Sequence, residues 1–307
     1  MLEPSQRAQL SARPVIFGEV LFDCFPDGRA VLGGAPFNVA WHLSGFGIKP
    51  LFVSRVGRDD KGKEILDSMK QWGMDVSGMQ QDYLRPTGVV EVGFDERHQP
   101  HYEIADNQAY DYIRPGEVYG CVSGETFGLV YHGTLGLRQP EGLSSLSIFI
   151  EQLNLPSFVD LNLRAPWWSA DLVERVLNGA AWIKLNEDEL EQIPLENTDD
   201  LSLREQSLYK HYQPELLIVT KGERGAAITE ASATIETAAT PLNDGGDTVG
   251  AGDAFSAVCI AGLINGWPSA QILERAQQFA AAICGVNGAL VNDPAFYRQF
   301  RQQWEIS

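Results

Sequence analysis

Basic residues are scarce in this chain of 307 residues. Only 23 Lys and Arg stand against 41 Asp and Glu, a formal charge of −18. That surface repels nucleic-acid phosphates and anionic membranes, so neither is an expected partner. An anionic ligand has to be held by local devices such as helix N-termini or single cations. Cysteines are also few: Cys24, Cys121, Cys259 and Cys284 form no C-x-x-C pair, and the last two sit in apolar runs as small core side chains. Long hydrophobic stretches are missing. The longest, Ala254–Trp267, is broken by Ser256 and Asn265 and is too short for a bilayer. The opening MLEPSQRAQLSARP lacks the apolar segment of a signal peptide, and the expected location is the cytoplasm.

Several chemical signatures are absent too. No G-x-G-x-x-G follows the first apolar burst, where Gly18-Glu19 begins another pattern, and an oxidoreductase loses its main support. There is no H-E-x-x-H or G-x-S-x-G. His98 and His101, three apart on a predicted hairpin, face opposite sides and would chelate a metal poorly. Gly57–Glu64 nearly spells a P-loop, yet Glu64 replaces the Mg²⁺-binding hydroxyl and Asp59-Asp60 would face the phosphates. That segment reads as a solvated strand-to-helix turn.

What is present is a globular α/β pattern, 44% apolar and 21% charged. Apolar bursts at Val15–Phe22, Leu51–Val56, Gly128–Gly133, Phe158–Leu161, Ala181–Leu185 and Leu216–Thr220 predict strands buried on both faces. Helical patterns at Phe37–Phe46, Lys61–Trp72, Pro140–Leu153, Ser169–Leu177 and Leu201–Tyr212 alternate with most of them. Three more close the chain: Ala251–Gly266, Ser269–Val286 and Pro294–Glu305. This alternation predicts a mainly parallel sheet between two helical layers. Thr87–Phe94, His101–Ala105 and a hairpin over Cys24–Leu32 lack crossover helices, and belong to a small second sheet. The expected organisation is one domain over 1–307 with lid strands within 24–34 and 87–105.

The sharpest motif is Asp247-Thr248-Val249-Gly250-Ala251-Gly252-Asp253, running into an apolar helix. Gly250, Ala251 and Gly252 leave backbone amides open at a helix N-terminus, an anion pocket. An acidic neighbour would repel a merely bound anion. It suits a transferring phosphoryl group, with Asp253 removing the proton of the attacking hydroxyl. A helix-capping Asp253 above a tight turn accounts for the same residues.

At these positions the chain resembles the ribokinase-like (PfkB) carbohydrate kinases, nearest their fructokinase-like branch. The C-terminal signature is Asp247–Phe255, and the N-terminal one is Gly33–Ala40 with Gly45-Phe46-Gly47. Asp160-Leu161-Asn162-Leu163-Arg164 with Trp167-Trp168, Asn186 to Glu189, and Thr220 to Gly225 follow the family order. The resemblance implies a three-layer α/β/α kinase with a β lid that uses ATP and Mg²⁺. It assigns the base to Asp253, the anion hole to Gly250, Ala251 and Gly252, and sugar contacts to Asp23, Gly33, Gly34, Asn38 and Arg164. Asn186 and Glu189 would organise Mg²⁺ through water, although a helix cap and its partner fit them as well. Thr220, Gly222, Gly225, Asn287 and Gly288 would border the nucleotide, and Asp247 a monovalent cation such as K⁺. D-fructose is the expected sugar, with 2-keto-3-deoxygluconate next, its carboxylate met by Arg164 or Arg138, then ribose and nucleosides. A nucleotide- or sugar-binding regulator on the same fold is the non-enzymatic alternative, and a homodimer through the lid is an expectation by analogy.

Overall fold

The computed structural model describes residues 2–94, 100–114, 116–117, 124–195, 198, 200–240, 248–286 and 288–306. The early strands are β1 (Arg13–Phe17), β2 (Leu21–Cys24), β3 (Ala30–Gly33), β4 (Leu51–Gly57), β5 (Met79–Asp82), β6 (Gly88–Phe94) and β7 (Pro100–Ile104). The later ones are β8 (Phe127–His132), β9 (Ser157–Asp160), β10 (Trp182–Asn186), β11 (Leu216–Thr220), β12 (Ala226–Glu230) and β13 (Ala233–Thr237). Helices α1 (Pro4–Gln9), α2 (Ala35–Gly45), α3 (Asp60–Trp72), α4 (Pro140–Leu153) and α5 (Ala170–Leu177) are followed by five more. These are α6 (Glu187–Gln192), α7 (Leu201–Tyr212), α8 (Ala251–Ile264), α9 (Ser269–Cys284) and α10 (Pro294–Trp304).

Among the described residues, nine strands form one sheet in the order β13-β12-β11-β10-β9-β8-β1-β4-β5. The run from β11 to β5 is parallel, and the β12–β13 hairpin adds an antiparallel edge. Alternation along each strand divides the core in two. Ile16, Phe52 and Tyr131 point to the layer of α2, α3, α8, α9 and α10, where Phe46, Phe279 and Trp304 pack. Val15, Phe17, Val53 and Val130 point to the layer of α4 to α7, where Leu146, Val176 and Leu208 pack. The architecture is therefore α/β/α, as the strand–helix alternation predicts.

The predicted strand Val15–Phe22 is in fact two. Gly18-Glu19-Val20 breaks it, so that β1 stays in the large sheet while β2 enters a second sheet of order β3-β2-β6-β7. A continuous apolar run gives no sign of where a chain changes sheets. β5, β12 and β13 also escaped the pattern reading: MQQD is polar, and β13 is largely exposed. The Gly57–Glu64 turn is an ordinary helix start. Asp59 caps α3 by accepting from the Gly62 amide at 2.8 Å, and also accepts from the Thr87 amide and hydroxyl. Cys121 and His98 lie outside the described residues. No described helix is long and apolar enough to cross a membrane.

Candidate active site

The parallel strands end on one side of the sheet, where open α/β folds bind ligands. A cavity of about 400 Å³ lies there, between the strand ends, the small sheet and the start of α8. The small sheet contributes Leu21, Asp23, Val90, Tyr102 and Ile104; the strand ends contribute Glu19, Asp160, Asn186 and Thr220.

Asp253 stands in the first turn of α8, a helix so apolar that Ala254–Gly262 is wholly buried. Its N-cap, Gly250, has φ +79°, and a side chain there would run into Ala289. The Ala251 amide donates to the Thr248 carbonyl at 3.2 Å and so closes the turn. Of the three amides expected to form an anion hole, that of Ala251 is therefore already used, while that of Gly252 has no acceptor within the helix. The Asp253 carboxylate accepts a 2.7 Å hydrogen bond from Asn38 Nδ2. Burial lifts its pKa to about 6, against the lowering effect of that bond, while Asp160 adds repulsion. A carboxylate poised there is ionised at neutral pH yet basic enough to accept a proton in a transition state.

Asn38 belongs to the first turns of α2 and is buried, and its Oδ1 has no partner among the described residues. Gly33 ends β3 facing this group: a Cβ there would lie 3.6 Å from Asp23 Oδ2 and 4.0 Å from Asn38 Oδ1. At Gly34, φ is +109° and a Cβ would press to 2.9 Å from the Glu19 carbonyl, so the backbone passes only as glycine. Burial raises the Asp23 pKa, and the nearby Arg164 guanidinium opposes it. Arg164 itself is exposed on the cavity wall. The structure thus brings Asp23, Gly34, Asn38, Arg164, Gly250, Gly252 and Asp253 around one cavity, with Gly33 beside Asp23 and Asn38.

Beneath them is a network absent from the sequence expectations. Lys184 Nζ donates to both oxygens of Asp160 at 2.9 Å, and Ser256 Oγ (2.6 Å) and the Tyr131 hydroxyl (3.3 Å) donate to the same carboxylate. Lys184 and Asp160 are both buried. A Cβ on Gly252 would lie 3.8 Å from Lys184 Nζ, which places the ammonium under the start of α8. The traceable signal is a lone charge inside each apolar burst, Lys184 in AWIKL and Glu19 in VIFGEVLF. A charge in a strand buried on both faces needs a partner or a ligand.

Asn186 and Glu189 form a reciprocal cap on α6. Asn186 Oδ1 accepts from the Glu189 amide at 2.8 Å, and Glu189 Oε2 from the Asn186 amide at 2.9 Å. Glu189 Oε1 accepts in turn from Leu163 N at 2.8 Å. Both residues line the cavity, so the capping and ligand-facing readings coexist. Of the expected nucleotide residues, Thr220 reaches the cavity wall. Gly222 (φ +54°) and Gly288 (φ +81°) lie on open turns, and Gly225 packs against the backbone of Thr237 and Ala239. Asn287 and Asp247 lie outside the described residues. Arg138 is not free to meet a substrate carboxylate: its Nε and Nη2 donate to buried Asp111 at 2.7 and 2.8 Å, under Trp167.

A model of the pfkB family of carbohydrate kinases matches residues 25–295. A fructokinase of Klebsiella pneumoniae is 29% identical over 262 residues, 81% of this chain and 83% of its own length. The fold matches the crystal structure of Salmonella enterica aminoimidazole riboside kinase, complexed with aminoimidazole riboside and an ATP analogue. The TM-score is 0.80 at 21% identity, over 94% of this chain and 99% of that one. Fructokinase from Vibrio cholerae O395, in its fructose-, ADP- and calcium-bound form, gives 0.79 at 24% identity over the same shares.

Proposed function

The chain belongs to the pfkB family of carbohydrate kinases, phosphotransferases acting on a sugar hydroxyl, and from that premise we propose that it phosphorylates D-fructose on a primary hydroxyl with ATP. The observation that carries this reading is the Asn38–Asp253 hydrogen bond beside the open amides of α8. It couples a candidate sugar contact to a candidate base at the mouth of an anion hole. The fructokinase among the relatives supports the choice of sugar. So does the charge of the cavity: among the described residues Glu19, Asp23 and Asp253 line it, Lys184 is committed to Asp160, and Arg164 is the cation left on the wall. An acid sugar such as 2-keto-3-deoxygluconate asks for a bidentate arginine and few anions.

In this mechanism Asp23, Gly33, Gly34 and Asn38 hold the sugar hydroxyls and present one of them to Asp253. The Asp253 carboxylate takes that proton as the sugar oxygen bonds to the γ-phosphorus of ATP and the bond from that phosphorus to the bridging oxygen breaks, releasing ADP. The Gly252 amide and its successor stabilise the charge on the moving phosphoryl group, a role that needs no reorganisation at the moment of reaction. Thr220, Gly222, Gly225, Asn287 and Gly288 border the nucleotide. Glu189 and Asn186 fit Mg²⁺ held through water, because their oxygens already accept backbone hydrogen bonds and retain only their outward lone pairs. When bound, Mg²⁺ supplies charge neutralisation at the phosphates. Asp247 would hold a monovalent cation such as K⁺. Leu21 and Val90 of the small sheet cover the sugar and exclude water as a competing acceptor. The outer strands β3 and β7 leave edges that a second lid would pair, giving a homodimer that light scattering would read.

The test is ADP release measured with fructose, ribose, adenosine and 2-keto-3-deoxygluconate side by side. The highest kcat/KM is expected for fructose. A preference for the acid sugar would overturn the substrate, and no sugar-dependent ADP release would favour a binding protein on the same fold.

A further inference from the structure

The reaction above leaves one cavity carboxylate without a task. Glu19 follows β1 at the point where the chain leaves the large sheet, and it is 3% exposed. It lines the cavity, yet its Oε2 has no hydrogen-bond partner among the described residues. Burial dominates and pushes the Glu19 pKa up to about 7, with repulsion from Asp253 adding to it and the backbone amides of Glu19 and Ala35 opposing it. Among the described residues no cation is paired with it; Arg164 acts on it only through space. A buried, half-satisfied carboxylate is strongly destabilising, and an apolar side chain of the same shape would be the stable choice. Burial of this kind in the wall of a ligand cavity points to a partner that arrives with the ligand.

We propose that Glu19 is a sugar-binding residue, whose free oxygen accepts a hydrogen bond from a hydroxyl other than the one phosphorylated, and that it selects neutral polyols over acid sugars. Its position fits the task. Gly34 lets the α2 start lie against the Glu19 backbone, while Gly33 faces Asp23 and Asn38. The Glu19 carboxylate lies on the Gly136 side of the cavity, where a Cβ on Gly136 would stand 3.6 Å from Oε2, and Asp23 lies beside Gly33. The terminal torsion of a glutamate is broad, so the oxygen turns toward an entering hydroxyl at little cost. Selection follows from charge. A hydroxyl donates to Glu19, whereas a substrate carboxylate would confront Glu19, Asp23 and Asp253, with Arg164 the one lining cation among the described residues not already paired to Asp160.

This inference rests on the neutral-sugar reading of the site. It is tested with Glu19→Gln, which keeps shape and an acceptor but loses charge, and Glu19→Met, which loses both. Both remove a buried charge and are expected to fold, as thermal melting would check. The fructose KM is expected to rise in the order Glu, Gln, Met, by roughly 10- to 100-fold at Met, with the ATP KM little changed. Deoxyfructoses that each lack one non-acceptor hydroxyl supply the readout that a merely structural role would not move. One of them should be poor for the wild type, and in Glu19→Met it should be used about as well as fructose. Discrimination against 2-keto-3-deoxygluconate should relax in both variants. An unchanged fructose KM in Glu19→Met, or a rise shared equally by every analogue and by ATP, would overturn the proposal while leaving the kinase reading intact. If the wild type itself prefers the acid sugar, the substrate reading and this inference fall together.

Discussion

Asn38 and Asp253 stand 215 residues apart in sequence and are joined by a single 2.7 Å hydrogen bond. The bond orients the carboxylate and favours its ionised form, and it leaves Asn38 Oδ1 buried without a hydrogen-bond partner among the described residues. Asn38→Leu therefore removes a contact to both base and substrate. The acid limb of kcat/KM, set near pH 6 by Asp253 in the wild type, should move to higher pH. The sugar KM should rise about 10-fold, the worth of one hydrogen bond to a charged or polyhydroxyl partner. A pH profile that superimposes on the wild type would contradict this role.

The Lys184–Asp160 pair supports the floor of the site. Lys184→Met leaves Asp160 buried without its cation, and breaking a buried pair from one side costs about 3–5 kcal/mol. Ser256 and Tyr131 still donate to Asp160, so the lower end of that range is expected. The double variant Lys184→Met with Asp160→Asn should recover much of the loss, because no lone buried charge remains. Urea denaturation of Lys184→Met, Asp160→Asn and the double variant measures the coupling; strictly additive losses would show that the pair does not act as a unit.

Much of this was legible in the sequence, for physical reasons that differ by residue. The three layers follow from apolar bursts alternating with helical periods, and the turn that starts α8 from Gly250 and Gly252 at the head of a mostly apolar helix. The small sheet was legible because Thr87–Phe94 alternates and lacks a crossover helix. The split of Val15–Phe22 was not, since a chain that passes from one buried sheet to another shows no change of hydropathy. Nor was the fate of Arg138: an arginine facing a ligand and one locked to Asp111 look alike until the fold brings the two segments together. Asn186 and Glu189 illustrate the opposite case, in which the three-residue spacing encodes a helix cap whether or not a ligand is also served.

Glu19 also makes stability depend on pH. Its ordinary pKa of 4.5 is raised to about 7 in the folded protein. Below the unfolded value both states hold the proton, and nothing is lost. As pH rises through that window the unfolded chain ionises first, so stability falls until the folded group ionises as well. Glu19→Gln abolishes this dependence. Its stability relative to wild type should increase by on the order of 1–3 kcal/mol between about pH 4.5 and pH 8. Denaturant titrations at the two pH values read the difference, and a pH-independent gap would exclude a raised Glu19 pKa.

The central claim is that Asp253 accepts the proton of the attacking hydroxyl, and Asp253→Asn tests it most directly. The amide keeps the shape and can still face Asn38 and the pocket, but it cannot take the proton. Steady-state ADP release with saturating fructose and ATP should show kcat lowered roughly 10²–10⁴-fold, with both KM values within about threefold of wild type. A kcat within a few fold of the wild-type value would contradict the account.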